Sequence, residues 1–253
     1  MRQIAPRGNR APSPSPPPGP SSPAAGPLAD AVAGIAAIAP VVVAALPIGL
    51  VFGALAGQAG LGAGAATGMS AVVFAGASQF VALEQWADPL PVASILLATL
   101  LVNLRHVAMG AALAPRLGHW PVAARPAALL FMTDEVWAIA LARAAVKPLT
   151  PAFYAGLAGA LWLAWVGSTA AGHVAGALVA DPARWGLDLA ITAVFIALLR
   201  GAWRGPRDLA PWAASAVAAV AVDRAGAPAM AVAAGIVAGL AVVAARILRG
   251  GEG

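Results

Sequence analysis

From Leu28 to the C-terminal region the chain is a succession of apolar runs separated by short clusters of proline, glycine and charge. A helix needs about 20 predominantly apolar residues to cross the hydrocarbon of a bilayer. Runs of that kind fall near residues 30–57, 62–84, 91–114, 126–145, 152–180, 186–200, 210–222 and 227–246. The sixth and seventh are short, so the reading is about eight transmembrane helices, within a range of five to eight. Polar side chains are too scarce for a water-facing surface: 10% of the residues are charged and 61% hydrophobic, with a mean hydropathy of +0.84. An ordinary soluble domain carries about 25% charged residues. The expected fold class is therefore an all-α, polytopic integral membrane protein with some broken or kinked segments.

The net charge of +5 and the pI near 11.2 raise the question of nucleic acid. The basic residues, however, are scattered between apolar segments and form no stripe with aromatics. They read as topology signals. With eight crossings and an internal N-terminus, one side collects Arg2, Arg7, Arg10, Arg143, Lys147, Arg200, Arg204, Arg207, Arg246 and Arg249, and the other Arg116, Arg125, Arg184 and Arg224. This bias places both termini in the cytoplasm of a bacterial cell, with the chain in the inner membrane. Residues 1–27, which include "APSPSPPPGPSSPAAGP", lack the apolar core of a signal peptide and are too polar to bury a core of their own. They are expected to form a disordered tail ahead of a transporter domain at 28–249. The absence of cysteine excludes disulfides, thiolate metal sites and cysteine nucleophiles.

Small residues and prolines interrupt the apolar runs. Pro40 and Pro47 each remove a backbone donor from the first segment, and Gly49, Gly53 and Gly57 fall four apart on one helix face, a spacing that lets backbones approach. Gly60, Gly64 and Gly68 repeat it, as do Gly172 with Gly176 and Gly235 with Gly239. In "FAGASQF" the chain places Gly76, Ser78 and Gln79 inside the second run. Polar groups in hydrocarbon must pair or line a polar cavity. Two readings stand. Gly76 breaks the helix and the freed N–H groups, with Ser78 and Gln79, hold a substrate carboxylate; or Ser78 bonds back to the carbonyl four residues earlier and Gln79 bridges two helices.

A second constellation lies in the third and fourth runs. "LVNLRHVAMG" carries Asn103, Arg105 and His106, and "LLFMTDEVWAIA" carries Thr133, Asp134 and Glu135. About the turn at His119 to Pro121, Arg105 lies as far back as Asp134 and Glu135 lie forward, so at about 1.5 Å per residue they reach one depth. Opposite charges there should pair, because an unpaired charge costs about 2.5–3.5 kcal/mol at mid-membrane. The pair is either structural or a coupling site at which a carboxylate or His106 takes up a proton. Imidazole is the side chain whose charge changes near neutral pH.

"GLVFGALAGQAGL", "MSAVVFAGASQF", "LLVNLRHVAMGAALAP" and "TDEVWAIA", in this order and spacing, resemble the AzlC family of branched-chain amino acid exporters, from about Pro47 to Val179 and more weakly beyond. The resemblance implies export of branched-chain amino acids or analogues such as azaleucine, with a small hydrophobic AzlD-type membrane subunit as partner. On the residues' own chemistry, Gly76, Ser78, Gln79 and Asn103 are the substrate-binding candidates and Arg105, His106, Asp134 and Glu135 the coupling candidates. Gly49, Gly53 and Gly57 are the packing face.

Other classes fit less well. A serine hydrolase built on Ser78 with His106 or His173 lacks the Gly-x-Ser-x-Gly surroundings of such nucleophiles. His106, His119 and His173 have no metal-ligand spacing, and no Gly-rich loop ends in lysine, so neither metal nor nucleotide cofactor is expected. A channel or a non-transporting assembly subunit is the alternative. The reading is a non-enzymatic transporter for Leu, Ile, Val or Met, driven by an ion gradient or by facilitation.

Overall fold

The computed structural model describes residues 26–178, 196, 199–200, 203 and 205–250. Most of the N-terminal tail and most of the run at 186–200 lie outside these residues. Among them the chain forms nine α-helices and no strand: α1 (Pro27–Gln58), α2 (Ala63–Val73), α3 (Gly76–Glu84), α4 (Val92–Leu113), α5 (Ala124–Leu130), α6 (Asp134–Val146), α7 (Pro151–Ala177), α8 (Leu209–Arg224) and α9 (Pro228–Leu248).

The frame is the pair α1 and α7. A β-carbon on Gly53 would strike the Thr169 carbonyl, and one on Gly49 the Ser168 hydroxyl. A β-carbon on Gly57 would lie 3.3 Å from His173 Nε2. From the other helix, Gly156 faces the Ala31 backbone, Gly172 that of Leu50 and Gly176 that of Ala54. Partners rise together along both helices, so α1 and α7 run parallel with their backbones in contact, and α1 stays helical through Pro40 and Pro47. The small-residue spacing thus works as expected in these helices. It does not in α2 and the turn before it, where β-carbons on Gly60, Gly64 and Gly68 would meet nothing within 4 Å. In α8 and α9, Gly235 and Gly239 lie against Ser215.

Polar contacts set the direction of the remaining helices. At the end where α1 and α7 begin, here the proximal end, Asp30 accepts from Arg143 (3.2 Å) and from the Thr150 hydroxyl (2.9 Å). The Arg143 guanidinium also lies 4.6 Å over the Phe153 ring. The Leu149 carbonyl accepts from the Trp120 indole at 2.6 Å and bonds His119 Nε2 at 3.0 Å. The turn after α4 is therefore proximal too, and α4 runs from the distal end to the proximal one. α5 then follows α7 inward, with the Tyr154 hydroxyl on the Ala128 carbonyl at 2.6 Å and Phe131 edge-on to Trp162 at 6.2 Å. α6 returns to Asp30.

The opposite hairpin enters from the distal end. His173 Nε2 bonds the Leu61 carbonyl at 2.9 Å, Ser70 meets Thr169 at 2.8 Å, and the Trp162 indole reaches the Ala71 carbonyl at 3.0 Å. These contacts carry α2 inward along α7. α3 turns back beside it: Gln79 reaches Ser70 at 3.0 Å, and Phe80 packs edge-on to Phe52 in the distal half of α1.

Two of the eight expected crossings are thus corrected. Residues 62–84 and 126–145 are re-entrant pairs, each entering and leaving by one face. The helices are too short to cross: α2 and α3, with 11 and 9 residues, measure about 16 and 13 Å, half of a hydrocarbon core of about 30 Å. Four helices among the described residues are long and apolar enough to span a membrane: α1, α4 with its 3-10 extension to Leu117, α7, and Met230–Leu248 within α9. The expected charge division changes with them. Arg116 and Arg125, expected opposite Arg143 and Lys147, share the proximal end with them, while Glu84 and Asp88 are distal.

This arrangement has a direct test. The chain has no cysteine, so Arg116→Cys and Lys147→Cys can each be labelled alone in intact cells and inverted vesicles. Both should react from the same side, with Asp88→Cys reacting from the other. Eight straight crossings would separate positions 116 and 147.

Candidate functional site

The two hairpin tips meet midway along α7. Phe74 ends α2 in the left-handed region (φ 36°, ψ 43°), a conformation that few bulky side chains adopt. Its ring lies 6.4 Å from that of Phe131, the residue that ends α5. A broken helix leaves carbonyls without an i+4 donor, and the Trp162 indole supplies one to Ala71. Trp165 fills the position beside the other half of the break: a β-carbon on Gly76 would lie 3.1 Å from its ring.

Around this layer runs a buried polar chain. The Trp165 indole donates to Gln79 Oε1 at 2.8 Å, Gln79 Nε2 donates to Ser70 at 3.0 Å, and Ser70 is paired with Thr169. Gln79, Ser70 and Thr169 are 0% exposed. Of the two sequence readings for Gln79, its amide is thus placed as a bridge, joining α3 to α2 and α7. Gln79→Ala leaves Trp165 Nε1 and Ser70 each one partner short in a dry interior, which costs about 1–3 kcal/mol per stranded group. A clear drop in thermal unfolding temperature is expected, and an unchanged melt would contradict the bridge.

Ser78 behaves differently. It is 1% exposed and its Oγ has no hydrogen-bond partner among the described residues, so the back-bond to the carbonyl four residues earlier is absent. It sits in the first turn of α3, whose N–H groups have no carbonyl behind them in the helix, no capping side chain and no acidic residue. The N-terminus of α6, at the tip of the other hairpin, is fully equipped. Thr133 caps it by accepting from the Val136 N–H at 3.3 Å, and Asp134 and Glu135 stand in its first turn, where a carboxylate is favoured by the helix dipole. One tip carries its own anion, and the other has none.

Arg105 and Asp134 pair at 3.0 Å, as their matched depth requires. They do so from helices that run the same way past the tip, since Trp137 donates to the Met109 carbonyl one turn further on, at 3.0 Å. The hairpin expected between these two spans is replaced by this parallel contact, because α5 has already brought the chain inward. The pair is 44% and 46% exposed, and Glu135 is exposed beside it. Half-exposed charge at mid-depth is incompatible with a lipid-facing surface and calls for polar groups or water against this face. Asn103 Oδ1 and His106 Nδ1, on the same helix, are buried atoms with no hydrogen-bond partner among the described residues. His106 also lines a cleft of about 430 Å³ with Leu129 and Met132 of the α5 tip.

The residues found at the breaks were therefore singled out in sequence, except for those that hold them. Ser70, Trp162, Trp165 and Thr169 were missed. A polar side chain in each of two apolar runs was the available signal. Asp30 was missed as well, although a lone acid at the start of an apolar run also needs a partner.

A sequence model of the family described as "AzlC protein" matches residues 40–179, which span α1 from Pro40 through the end of α7. An uncharacterized membrane protein of Archaeoglobus fulgidus is 32% identical over 182 residues, covering 71% of this chain and 78% of that protein. No solved structure matches.

Proposed function

Since the chain belongs to the AzlC family of membrane proteins, we propose that it exports branched-chain amino acids, Leu, Ile and Val with Met as a near analogue, from the cytoplasm of a bacterial cell. The observation that carries the reading is the unequal pair of hairpin tips. A substrate carboxylate takes, at α3, the place that Asp134 takes at α6: it accepts from the first-turn N–H groups that follow Gly76 and from the Ser78 hydroxyl. Gln79 holds that turn in place. Asn103 Oδ1, an acceptor without a donor, suits the ammonium group. The aromatic layer of Phe74, Phe131 and Trp162 supplies an apolar neighbourhood for an aliphatic side chain. It also closes the mid-depth, which favours a carrier over a channel.

Arg105, Asp134, His106 and Glu135 form the coupling site in this reading, with a proton as the coupling ion. A small AzlD-type membrane subunit completes the transporter and covers the charged α4–α6 face. The proximal end, with Arg116, Arg125, Arg143 and Lys147, lies in the cytoplasm by the positive-inside rule. Both termini lie on that side.

Ser78→Ala separates substrate binding from stability. Its Oγ has no hydrogen-bond partner among the described residues, so the melting temperature should be unchanged. A lost hydrogen bond to a charged group, worth about 1.5–3 kcal/mol, should raise the KM for labelled leucine at least tenfold. Efflux is measured from vesicles under imposed pH gradients, with and without the small subunit. Wild-type KM in a folded Ser78→Ala protein would sink the proposed carboxylate site, and the absence of saturable leucine flux would sink the exporter reading itself.

A further inference from the structure

Between α5 and α7, on the proximal side of the Phe131–Trp162 layer, lies an apolar cleft of about 510 Å³ that the ion pair does not line. It begins at the proximal end beside Trp120 and Pro151 and runs inward past Ala124, Tyr154 and Gly159. It stops at mid-depth, where Phe131 and Trp162 stand edge to face. We propose that this cleft holds one acyl chain of an anionic phospholipid from the proximal leaflet.

Length is the first argument. The α7 wall extends from Pro151 to Leu163, a rise of about 18 Å, against about 15 Å for one leaflet of hydrocarbon. A membrane-spanning helix seated here would meet the Phe131–Trp162 step halfway along its course. An acyl chain ends where the cleft ends. The polar side-chain groups of the described wall are already spent inside the protein: the Tyr154 hydroxyl on the Ala128 carbonyl, the Trp120 indole on Leu149 and the Trp162 indole on Ala71.

Charge is the second argument. Arg116 and Lys147 are exposed at the proximal end, on the turns that flank the mouth. Arg125, also beside the mouth, is occupied with the Gly118 and Trp120 carbonyls. Two cations next to an apolar slot match a phosphodiester headgroup above its chain, and each contributes about 1 kcal/mol toward an anionic lipid surface, or about fivefold in affinity. Glu84 and Asp88 stand at the opposite end of the bundle, on the turn after α3.

The cleft has room to be filled by mutation. A β-carbon on Gly159 meets nothing within 4 Å, and Ala155 is exposed. The test uses the purified full chain in phosphatidylcholine vesicles containing increasing amounts of phosphatidylglycerol brominated in mid-chain, which quenches indole fluorescence on contact. Quenching by the anionic lipid should saturate at low mole fraction, while brominated phosphatidylcholine should quench in proportion to its amount. Gly159→Phe and Ala155→Phe, each checked by its melting temperature, should convert the anionic curve to the proportional one. Lys147→Gln and Arg116→Gln should each raise the half-saturating fraction about fivefold. Proportional quenching by both lipids in the wild type would overturn the proposal. So would saturation that survives in a folded Phe variant, or a cross-link from Gly159→Cys to a second polypeptide in native membranes.

Discussion

Gly53→Leu is expected to abolish accumulation of the folded protein. At this position a β-carbon meets the Thr169 carbonyl and lies 2.7 Å from the His173 nitrogen. Both are backbone atoms of a helix and cannot rotate away. Overpacking by side chains alone costs about 1–3 kcal/mol; here α1 and α7 must separate along their whole contact. The damage spreads, because α7 also anchors the α2–α3 hairpin through Trp162, Trp165, Thr169 and His173. Gly68→Ala, in the interior of α2, is the matched control, since its β-carbon meets nothing within 4 Å. Replacing an interior helical glycine by alanine gains about 0.8–1.0 kcal/mol from propensity. Detergent-extracted yield and thermal unfolding should fall sharply for the first variant and hold or rise for the second. A Gly53→Leu protein with wild-type melting would mean that the two backbones do not touch.

Arg105→Ala should be damaging as well, for an electrostatic reason. It leaves Asp134 at mid-depth without the cation that faces it at 3.0 Å. A lone charge at mid-membrane costs up to about 2.5–3.5 kcal/mol, and a carboxylate 46% exposed toward polar surroundings loses a fraction of that. Asp134→Asn added to Arg105→Ala removes the stranded charge, so yield and melting temperature should recover. Export should not, because the carboxylate that would exchange a proton is gone. Recovery of wild-type, pH-responsive efflux in the double variant would make the pair structural and return the coupling role to His106 or Glu135.

Much of this architecture was readable before any coordinates. Apolar length alone located α1, α4, α7 and α9, and opposite charge in neighbouring runs set Arg105 against Asp134 and Glu135, although the antiparallel hairpin used to match their depth does not form. Direction was not readable. The half-helices α2 and α3 together make an apolar stretch of about 20 residues, the length of one full crossing, and hydropathy records how many residues are apolar, not which way the chain travels. What separates the two cases is the backbone of Phe74 and the donors that α7 sends to the break, and the latter come from some 90 residues away. The glycines make the same point. Gly49, Gly53 and Gly57 have the spacing of Gly60, Gly64 and Gly68, yet only the first set meets another helix. Spacing says which residues share a face; it is silent on whether a neighbour arrives. The unequal hairpin tips were half legible: Asp134 and Glu135 announced a charged helix start, and the bare start of α3 emerged only when the two could be set side by side.

The dependence of the first hairpin on α7 also sets an order of construction. Ala71 and Ser70 are made 91 and 99 residues before the Trp162 and Thr169 that satisfy them. At about 5–20 residues per second, the ribosome takes on the order of 5–20 s to supply those partners. During that interval α2 and α3, each too short to span, have no finished slot to enter. The docked position of the α2–α3 hairpin is therefore complete only once α7 has been made. A chain stalled before Trp162 would leave the Ala71 carbonyl, Ser70 and Gln79 without their α7 partners.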